Sequence, residues 1–461
     1  MHKVIINGKT EYAKSGTLLS ELLISAKNPV EHICGGKGLC KKCTVSVNGK
    51  SVLSCQYKIT SDINVITESA GKILSETGAA ETGLLTDKLC YVLDIGTTTL
   101  ALALVATDEK KIIRVITRNN PQRIFGADIM SRIDYCRKNG VNDLQKTLTA
   151  EINSMIETSA EKAEKLFVSG NTTMLHLFFG ADCSSMGVSP YTPVFLAAKT
   201  EKAESIGIKG VQTVISLPCI ASFVGADITA GLNYTELPEH GRHSLLIDLG
   251  TNAEIVLFSE SNALCTAAAA GPCFEGANIS CGMSATEGAI YAYSPGAIKT
   301  IGNTTAKGVC GTGLIDIIAY YLKAGIIDES GFTEDDIEIL NDIVITQNDI
   351  RQYQLAKSAV CSAVQTLMKL KNVNFDDIEK VYISGGFSGK INTENAVITG
   401  LFPRQLKDKC TAINNSSLLG TVKYATENNP LDTICKNTCY IDLSCNRTFS
   451  ELFINNMLFT D

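Results

Sequence analysis

The 461-residue chain reads as an α/β protein with a smaller α+β part at its N-terminus. Three observations predict this. Four cysteines (Cys34, Cys40, Cys43 and Cys55) gather among strand-like segments near the start of the chain. From Cys90 onward, apolar strands alternate with helical stretches, the pattern of layered α/β architecture. Within that second region two motifs recur in the same order, so it reads as a duplicated domain of two lobes.

The N-terminal segments follow in order. The string HKVIING alternates like a strand and closes on Asn7-Gly8, a hairpin signal. TLLSELLISA carries apolar residues at helical spacing. The loop HICGGKGLCKKC precedes a second strand, TVSV, and a second Asn-Gly turn. The cysteines are spaced C-x5-C-x2-C-x11-C. Structural zinc sites usually pair two C-x2-C knuckles, and here there is one. Plant-type [2Fe-2S] proteins use C-x4-C-x2-C and a distant fourth cysteine, and this loop is that pattern with one residue added. Gly35, Gly36 and Gly38 let backbone curl around an inorganic core and aim N–H groups at thiolate sulfurs. Hairpin, helix, cysteine loop and strand together resemble the β-grasp ferredoxin domain. The metal expectation is therefore a [2Fe-2S] cluster on Cys34, Cys40, Cys43 and Cys55, with zinc and no metal as the alternatives.

Composition excludes some classes of function. The chain is 45% hydrophobic and 19% charged with a net charge of -7, which argues against a general nucleic-acid binder. No apolar run reaches membrane-spanning length, and the N-terminal residues do not read as an export signal. An odd count of 17 cysteines fits a reducing compartment, so the expected location is the cytoplasm. Cys90, Cys136, Cys183, Cys219 and Cys361 stand singly and read as small core residues.

Residues 67–89, small and polar, read as a linker after an N-terminal domain of residues 1–66. YVLDIGTTTLALALV, from Tyr91, then matches LLIDLGTNAEIVLFS, from Leu245. KLFVSGNTT, from Lys165, matches KVYISGGFS, from Lys380. This places one lobe at 90–240 and the other at 241–461, the second with an insertion between its two motifs.

A strand–Asp-x-Gly-Thr–strand hairpin has a tight turn with exposed amides. Gly96 and Gly250 let backbone approach a phosphate closely. Thr97, Thr98, Thr99, Thr251 and Asn252 supply donors to phosphate oxygens. Asp94 and Asp248 suit Mg²⁺ held through water. Gly385 and Gly386, ending a strand before a helix, and Gly311 and Gly313, in a glycine-rich turn before LIDIIAYYL, suit a nucleoside or phosphate. Glu275 and Glu254 are the carboxylates available to polarise a water. One Asp-x-Gly-Thr copy alone marks an ordinary turn; two copies in matching strand contexts point to a nucleotide clamp.

The repeats resemble the actin-like ATPase superfamily. A four-cysteine domain in front, with NPQRIFGADIMSRI, SGNTTMLHLFFG, FVGADITAGL, AGPCFEGANISCGM and ITQNDIRQYQLAKSA, resembles the ATP-dependent reductive activators of corrinoid-dependent enzymes. The resemblance implies a β-grasp [2Fe-2S] domain followed by an actin-like (ASKHA) ATPase, with ATP and Mg²⁺ as further cofactors. Asp94, Asp248 and Glu275 are the catalytic carboxylates expected from these turns. The resemblance also implies an ATP-hydrolysing enzyme that passes one electron to the Co(II) of a corrinoid protein or cobalamin-dependent methyltransferase and regenerates Co(I). A plant-type cluster sits near about −400 mV. A gap of about 0.1–0.2 V to the corrinoid couple costs about 2–5 kcal/mol per electron, which ATP offsets by favouring a docked state. An upstream ferredoxin or flavodoxin-like donor and a homodimer are part of the same expectation. The rivals are a small-molecule kinase of the superfamily and a non-enzymatic redox module that senses nucleotide.

Three further expectations concern single features. His176, among apolar residues, reads as a core histidine. DESGFTEDDIEIL, from Asp328, reads as an acidic helix start. Cys439 and Cys445 read as packing residues rather than ligands of a second cluster.

Overall fold

A computed structural model describes residues 1–26, 28, 30, 38, 43–67, 75–77, 88–340, 342–386 and 388–459. The N-terminal unit holds β1 (His2–Ile6), β2 (Lys9–Ala13), α1 (Leu19–Ser25), β3 (Thr44–Val47), β4 (Lys50–Leu53) and β5 (Ile63–Ile66). The sheet order is β2-β1-β5-β3-β4, with β1 and β5 parallel, which is the strand order of a β-grasp sheet. Both Asn-Gly pairs make the hairpins expected of them. Asn7 and Gly8 have φ of 46° and 83°, and Asn48 and Gly49 48° and 79°, the left-handed pairs that a two-residue turn needs. Leu19, Leu22 and Leu23 of α1 close over Val4, Ile6, Val45 and Val65, so the helix shares one small core with the sheet.

The chain continues through β6 (Ser75–Thr77), β7 (Leu89–Ile95), β8 (Thr99–Ala106), β9 (Lys111–Asn119), α2 (Ile129–Asn139), α3 (Asn142–Ser159), β10 (Lys165–Gly170), α4 (Thr172–Phe179), β11 (Thr200–Lys202), β12 (Thr213–Ser216) and α5 (Ala226–Tyr234). Strands β7, β8 and β9 form an antiparallel meander, and β10 and then β12 add in parallel beside β7. Ser75–Thr77, inside the stretch expected to be a linker, pairs antiparallel with residues 115–117 and adds an edge strand to this sheet.

The second lobe repeats the plan. It holds β13 (His243–Leu249), β14 (Ala253–Phe258), β15 (Ala263–Ala268), β16 (Ala289–Ser294), β17 (Ala297–Thr300), β18 (Gly308–Val309), α6 (Gly311–Lys323), β19 (Ile337–Leu340), β20 (Ile343–Ile345), α7 (Gln347–Lys371), β21 (Ile378–Ser384), α8 (Thr393–Ile398), β22 (Cys410–Ala412), α9 (Ser416–Glu427), α10 (Asp432–Lys436), β23 (Thr438–Tyr440) and α11 (Arg447–Asn455). Its main sheet, β22-β21-β13-β14-β15-β23, has the same meander with β21 and β22 parallel beside β13. The small sheets β17-β16-β18 and β19-β20 are the inserted material between the two motifs.

The duplication is visible residue by residue. Asp94 lies opposite Ser169 in the β7–β10 pair, and Asp248 lies opposite Ser384 in the β13–β21 pair. In each lobe an aspartate at the end of the central strand therefore has a serine beside it. Helices α5 and α9 cross tightly where the lobes meet. A Cβ on Gly420 would lie 1.7 Å from the Ala230 carbonyl oxygen, and one on Gly231 would lie 3.0 Å from Ser416 Oγ. Gly420→Ala must push the helices apart, and its expected cost is about 3 kcal/mol. Urea melts of the variant and the parent measure it; an unchanged midpoint would refute the close crossing.

Two local expectations are corrected. Residues 328–332 form a turn in which the Ser330 N–H and hydroxyl donate to Asp328 Oδ1 at 2.8 and 2.7 Å, and Ile337–Leu340 is strand β19, not a helix start. Asp328, Ser330 and Gly331 favour the turn, and pairing with β20 buries Ile337 and Ile343. After Gly385-Gly386 the chain makes a short 3-10 turn at Ser388–Lys390, and α8 begins only at Thr393.

Candidate functional site

The two Asp-x-Gly-Thr turns meet across the cleft between the lobes. Glu275, in the 3-10 turn Pro272–Glu275, joins them: its Oε2 accepts from Thr98 Oγ1 at 3.1 Å and from Thr251 Oγ1 at 2.9 Å. A cavity of about 280 Å³ opens there, lined by Thr98, Thr251, Asn252, Glu275, Arg123 and Ser284 among others. Gly250 belongs to the same wall, since a Cβ on it would come 3.9 Å from Glu275 Oε1. Gly96 permits the tight first turn, where a Cβ would meet the Thr99 carbonyl oxygen at 2.6 Å. Thr99 opens β8, and Thr97 Oγ1 accepts from Asn171 Nδ2, the N-cap of α4, at 3.0 Å.

Asp94 and Asp248 stand at the strand ends below these turns. Asp94 is held by the second lobe: Asn415 Nδ2 donates to Oδ2 and Ser417 Oγ to Oδ1, each at 2.7 Å. The same α9 terminus reaches both serines of the repeat, with Ser417 Oγ 2.9 Å from Ser169 Oγ and Ser416 Oγ 2.7 Å from Ser384 Oγ. One helix end thus ties the two strand ends together.

Two more carboxylates join them. Asp227 is in the first turn of α5, and Glu254 lies opposite Asp248 across the β13–β14 pair. Burial pushes the Asp248 carboxyl up to about 6, helped by the charge of Asp94. Burial, then the charges of Asp248 and Asp94, push Asp227 up to about 8. Glu254 rises well above its ordinary value for the same reasons: burial first, then the charges of Asp227 and Asp248. Asp94 is raised by burial and held back by Ser417 and Asn415. Asp227 was not among the residues singled out from sequence; its one signal is the Gly-Ala-Asp at the start of a helix in FVGADITAGL.

The sign of the pH effect follows. Carboxyls raised in the folded state bind more protons there than in the unfolded chain, so this cluster's contribution to stability falls as pH rises from about 4 through about 8. Asp227→Asn is expected to stabilise the nucleotide-free protein at pH 8 by about 1–3 kcal/mol and to change little at pH 4. Thermal melts at the two pH values check this; equal shifts at both would contradict it.

Other expected residues fall elsewhere. Gly311 and Gly313 lie buried in the first turn of α6, where a Cβ would meet the carbonyl oxygens of Phe274 and Ile290 at 2.1 and 2.2 Å. Close helix packing explains both. Gly385, at φ 116°, backs onto Leu249, whereas Gly386 has open space around it. His176 is the core histidine expected: its Nδ1 is 2.7 Å from the Thr172 carbonyl oxygen, and the Val194 N–H donates to Nε2 at 3.0 Å. Burial lowers its pKa, and its ring stacks on Phe195 at 4.2 Å.

Of the four clustered cysteines, Cys34 and Cys40 lie outside the described residues. Cys43 and Cys55 are buried with their sulfurs 3.2 Å apart, and Gln56 Nε2 donates to Cys55 Sγ at 3.7 Å. Burial beside Cys43 pushes the free Cys55 thiol up to about 11. Two converging thiols, one of them receiving an N–H donor, fit the two remaining ligands of a thiolate-held cluster. Cys439 and Cys445 are exposed and do not pack, which corrects their reading: Cys439 lies on β23, a short edge strand, and Cys445 in the turn before α11. Among the described residues no group of three or more potential ligands gathers to hold a metal ion.

A two-lobed α/β fold whose matching Asp-x-Gly-Thr turns face each other across a cleft defines the actin-like, or ASKHA, class. Within it, residues 242–461 match the C-terminal ASKHA domain of RACo and residues 89–240 match the RACo middle region. Over most of its length, therefore, the chain belongs to the RACo family of corrinoid reductive activators. It is 27% identical to the corrinoid activation enzyme RamQ of Eubacterium limosum over 96% of each chain. It is 25% identical to the [Co(II) methylated amine-specific corrinoid protein] reductase of Methanosarcina barkeri, covering 78% of this chain and 75% of that one. A solved reductive activator for a corrinoid, iron-sulfur protein superimposes with a TM-score of 0.72 at 27% identity, covering 99% and 98% of the two chains. No helix among the described residues is long and apolar enough to cross a membrane.

Proposed function

We propose that this chain is an ATP-dependent reductive activator of a corrinoid protein, returning Co(II) in its partner to the nucleophilic Co(I) state. The observation that carries this reading is one chain joining a four-cysteine loop, with two thiols meeting at 3.2 Å, to a two-lobed clamp of the RACo family. The names of its relatives, a corrinoid activation enzyme and a Co(II) corrinoid protein reductase, supply the partner class.

The division of labour follows the segments proposed from sequence. Residues 1–66 form the electron-carrying domain, 67–89 the connection, 90–240 the first ATPase lobe and 241–461 the second. Cys34, Cys40, Cys43 and Cys55 would hold a [2Fe-2S] cluster, which when bound supplies a one-electron relay. An upstream ferredoxin or flavodoxin-like protein is the donor, and the chain acts as a homodimer in the cytoplasm. In the clamp, the backbone around Gly96 and Gly250 and the hydroxyls of Thr97, Thr98, Thr99 and Thr251, with Asn252, grip the ATP phosphates. Asp94 and Asp248 take the hydrated Mg²⁺. Gly386, with open space, and Gly385 border the nucleoside. Glu275 accepts the proton of the water that attacks the γ-phosphorus as ADP leaves. Because Glu275 touches a threonine from each lobe, its rearrangement on triphosphate binding is coupled to lobe closure.

The experiment is ATP turnover by the anaerobic protein, alone, with a Co(II) corrinoid protein, and with a panel of sugars and carboxylic acids. Turnover that responds to the corrinoid protein, with no phosphorylated product from the panel, is the expected result. A phosphorylated sugar or acid would replace this reading with the kinase.

A further inference from the structure

One long string of the first lobe, NPQRIFGADIMSRI, contributes its loop to the cleft, yet its last arginine faces inward. Arg132 of α2 has no exposed surface and is the largest fully buried side chain among the described residues. Its guanidinium donates through Nη2 to the Thr97 carbonyl oxygen at 2.6 Å and through Nε to the Gly126 carbonyl oxygen at 2.9 Å. Nη1 reaches Gln122 Oε1 at 3.3 Å and Met174 Sδ at 3.1 Å. All four acceptors are neutral. Asp128 and Glu275 favour its charge through space while hydrogen-bonded to other groups, Asp128 to the N–H and hydroxyl of Ser131 at 2.8 and 2.7 Å and Glu275 to Thr98 and Thr251, and the like charge of Arg123 opposes it. Burial lowers the Arg132 pKa to about 9, which still leaves it cationic at neutral pH.

A buried cation with only neutral acceptors is costly, and a fold that keeps one ordinarily gains something from the charge. This charge stands directly behind the first phosphate turn. The Thr97 carbonyl that it grips belongs to the Thr97–Thr98 peptide, and a trans peptide directs its N–H opposite to its carbonyl. With the carbonyl drawn into the lobe, the Thr98 N–H is directed toward the cleft side, where Thr98 Oγ1 already meets Glu275. Asn120 Nδ2 fixes the preceding carbonyl, donating to Gly96 O at 2.8 Å.

We propose that Arg132 is a positioning residue for polyphosphate: it locks the Thr97–Thr98 peptide with its N–H toward the ligand and supplies the positive charge that the phosphates balance. The inference rests on the reading of the two turns as a nucleotide clamp. It assigns α2 a task in nucleotide binding without contact to the nucleotide.

The test is calorimetric binding of ATP, ADP and adenosine, with Mg²⁺, to the full chain and three variants. Arg132→Gln removes the charge, Arg132→Lys keeps it, and Gln122→Glu leaves the arginine in place but gives it an ion partner 3.3 Å away. The expected result is at least about 10-fold weaker ATP binding in Arg132→Gln and Gln122→Glu, a smaller loss for ADP, adenosine unchanged, and recovery in Arg132→Lys. Should Arg132→Gln not fold, Gln122→Glu gives the same reading with the guanidinium retained. Equal losses for ATP and adenosine would make Arg132 a purely structural residue, and unchanged ATP binding in Gln122→Glu would overturn the electrostatic role. If the parent chain itself binds no ATP, it is the clamp that fails, before Arg132 is in question.

Discussion

Cys43→Ser is expected to strip the N-terminal domain of its visible chromophore and reduce cobalt reduction to the level of the external reductant alone, while ATP turnover stays within about two-fold of the parent. Cys43 is buried immediately before β3, with its sulfur 3.2 Å from Cys55. Serine nearly matches it in size, so the core formed with Val4, Val45 and Ile63 survives, at a cost of about 1–2 kcal/mol for the buried hydroxyl. What serine lacks is a thiolate of sufficient softness and acidity to hold iron. Anaerobic absorption spectra and stopped-flow cobalt assays on the same preparation measure the two halves separately. Cobalt reduction at the parent rate would remove the cysteine loop from the electron path.

Asp248→Ala is expected to do the reverse. It should lower ATP turnover by on the order of 100-fold or more and leave the chromophore intact. It should also raise the melting temperature of the nucleotide-free protein above that of the parent at pH 8. Asp94, Asp227, Asp248 and Glu254 repel one another and are each pushed up by burial. Removing one member relieves the others, so the loss of activity comes with a gain in stability. That pairing separates a functional lesion from misfolding. A variant that lost both activity and stability would show Asp248 to be a structural residue.

The parts of the site visible in sequence are those carried by local pattern. The Asp-x-Gly-Thr turns sit between strands whose apolar runs are long, and repetition in the same order turned two weak signals into one strong one. The Asn-Gly hairpins announce themselves because few residues tolerate two successive left-handed conformations. What pattern conceals is contact at long range. Asn415 and Ser417 reach Asp94 from 321 and 323 residues away, and nothing near either end signals the meeting. Asp227 reads as an ordinary acidic first turn until the fold places Asp248 and Glu254 beside it. Arg132 looks like a solvated helix residue, since charged residues are rarely buried and its acceptors are mainly backbone and amide oxygens. Gly311 and Gly313 show the opposite error: a glycine-rich turn before a helix suggests a phosphate, yet Phe274 and Ile290 fill the space that side chains would need. Strand β6 is three polar residues at a sheet edge, too short for any periodicity.

The central claim is that the cysteine domain and the clamp act as one machine on a corrinoid partner. The direct measurement is an anaerobic spectrum of a Co(II) corrinoid protein mixed with this chain and a low-potential reductant, recorded before and after MgATP is added. Growth of Co(I) absorption that begins with MgATP and is absent without nucleotide and with Cys43→Ser is the result this account predicts. Co(I) appearing at the same rate without nucleotide, or not at all with it, would contradict it.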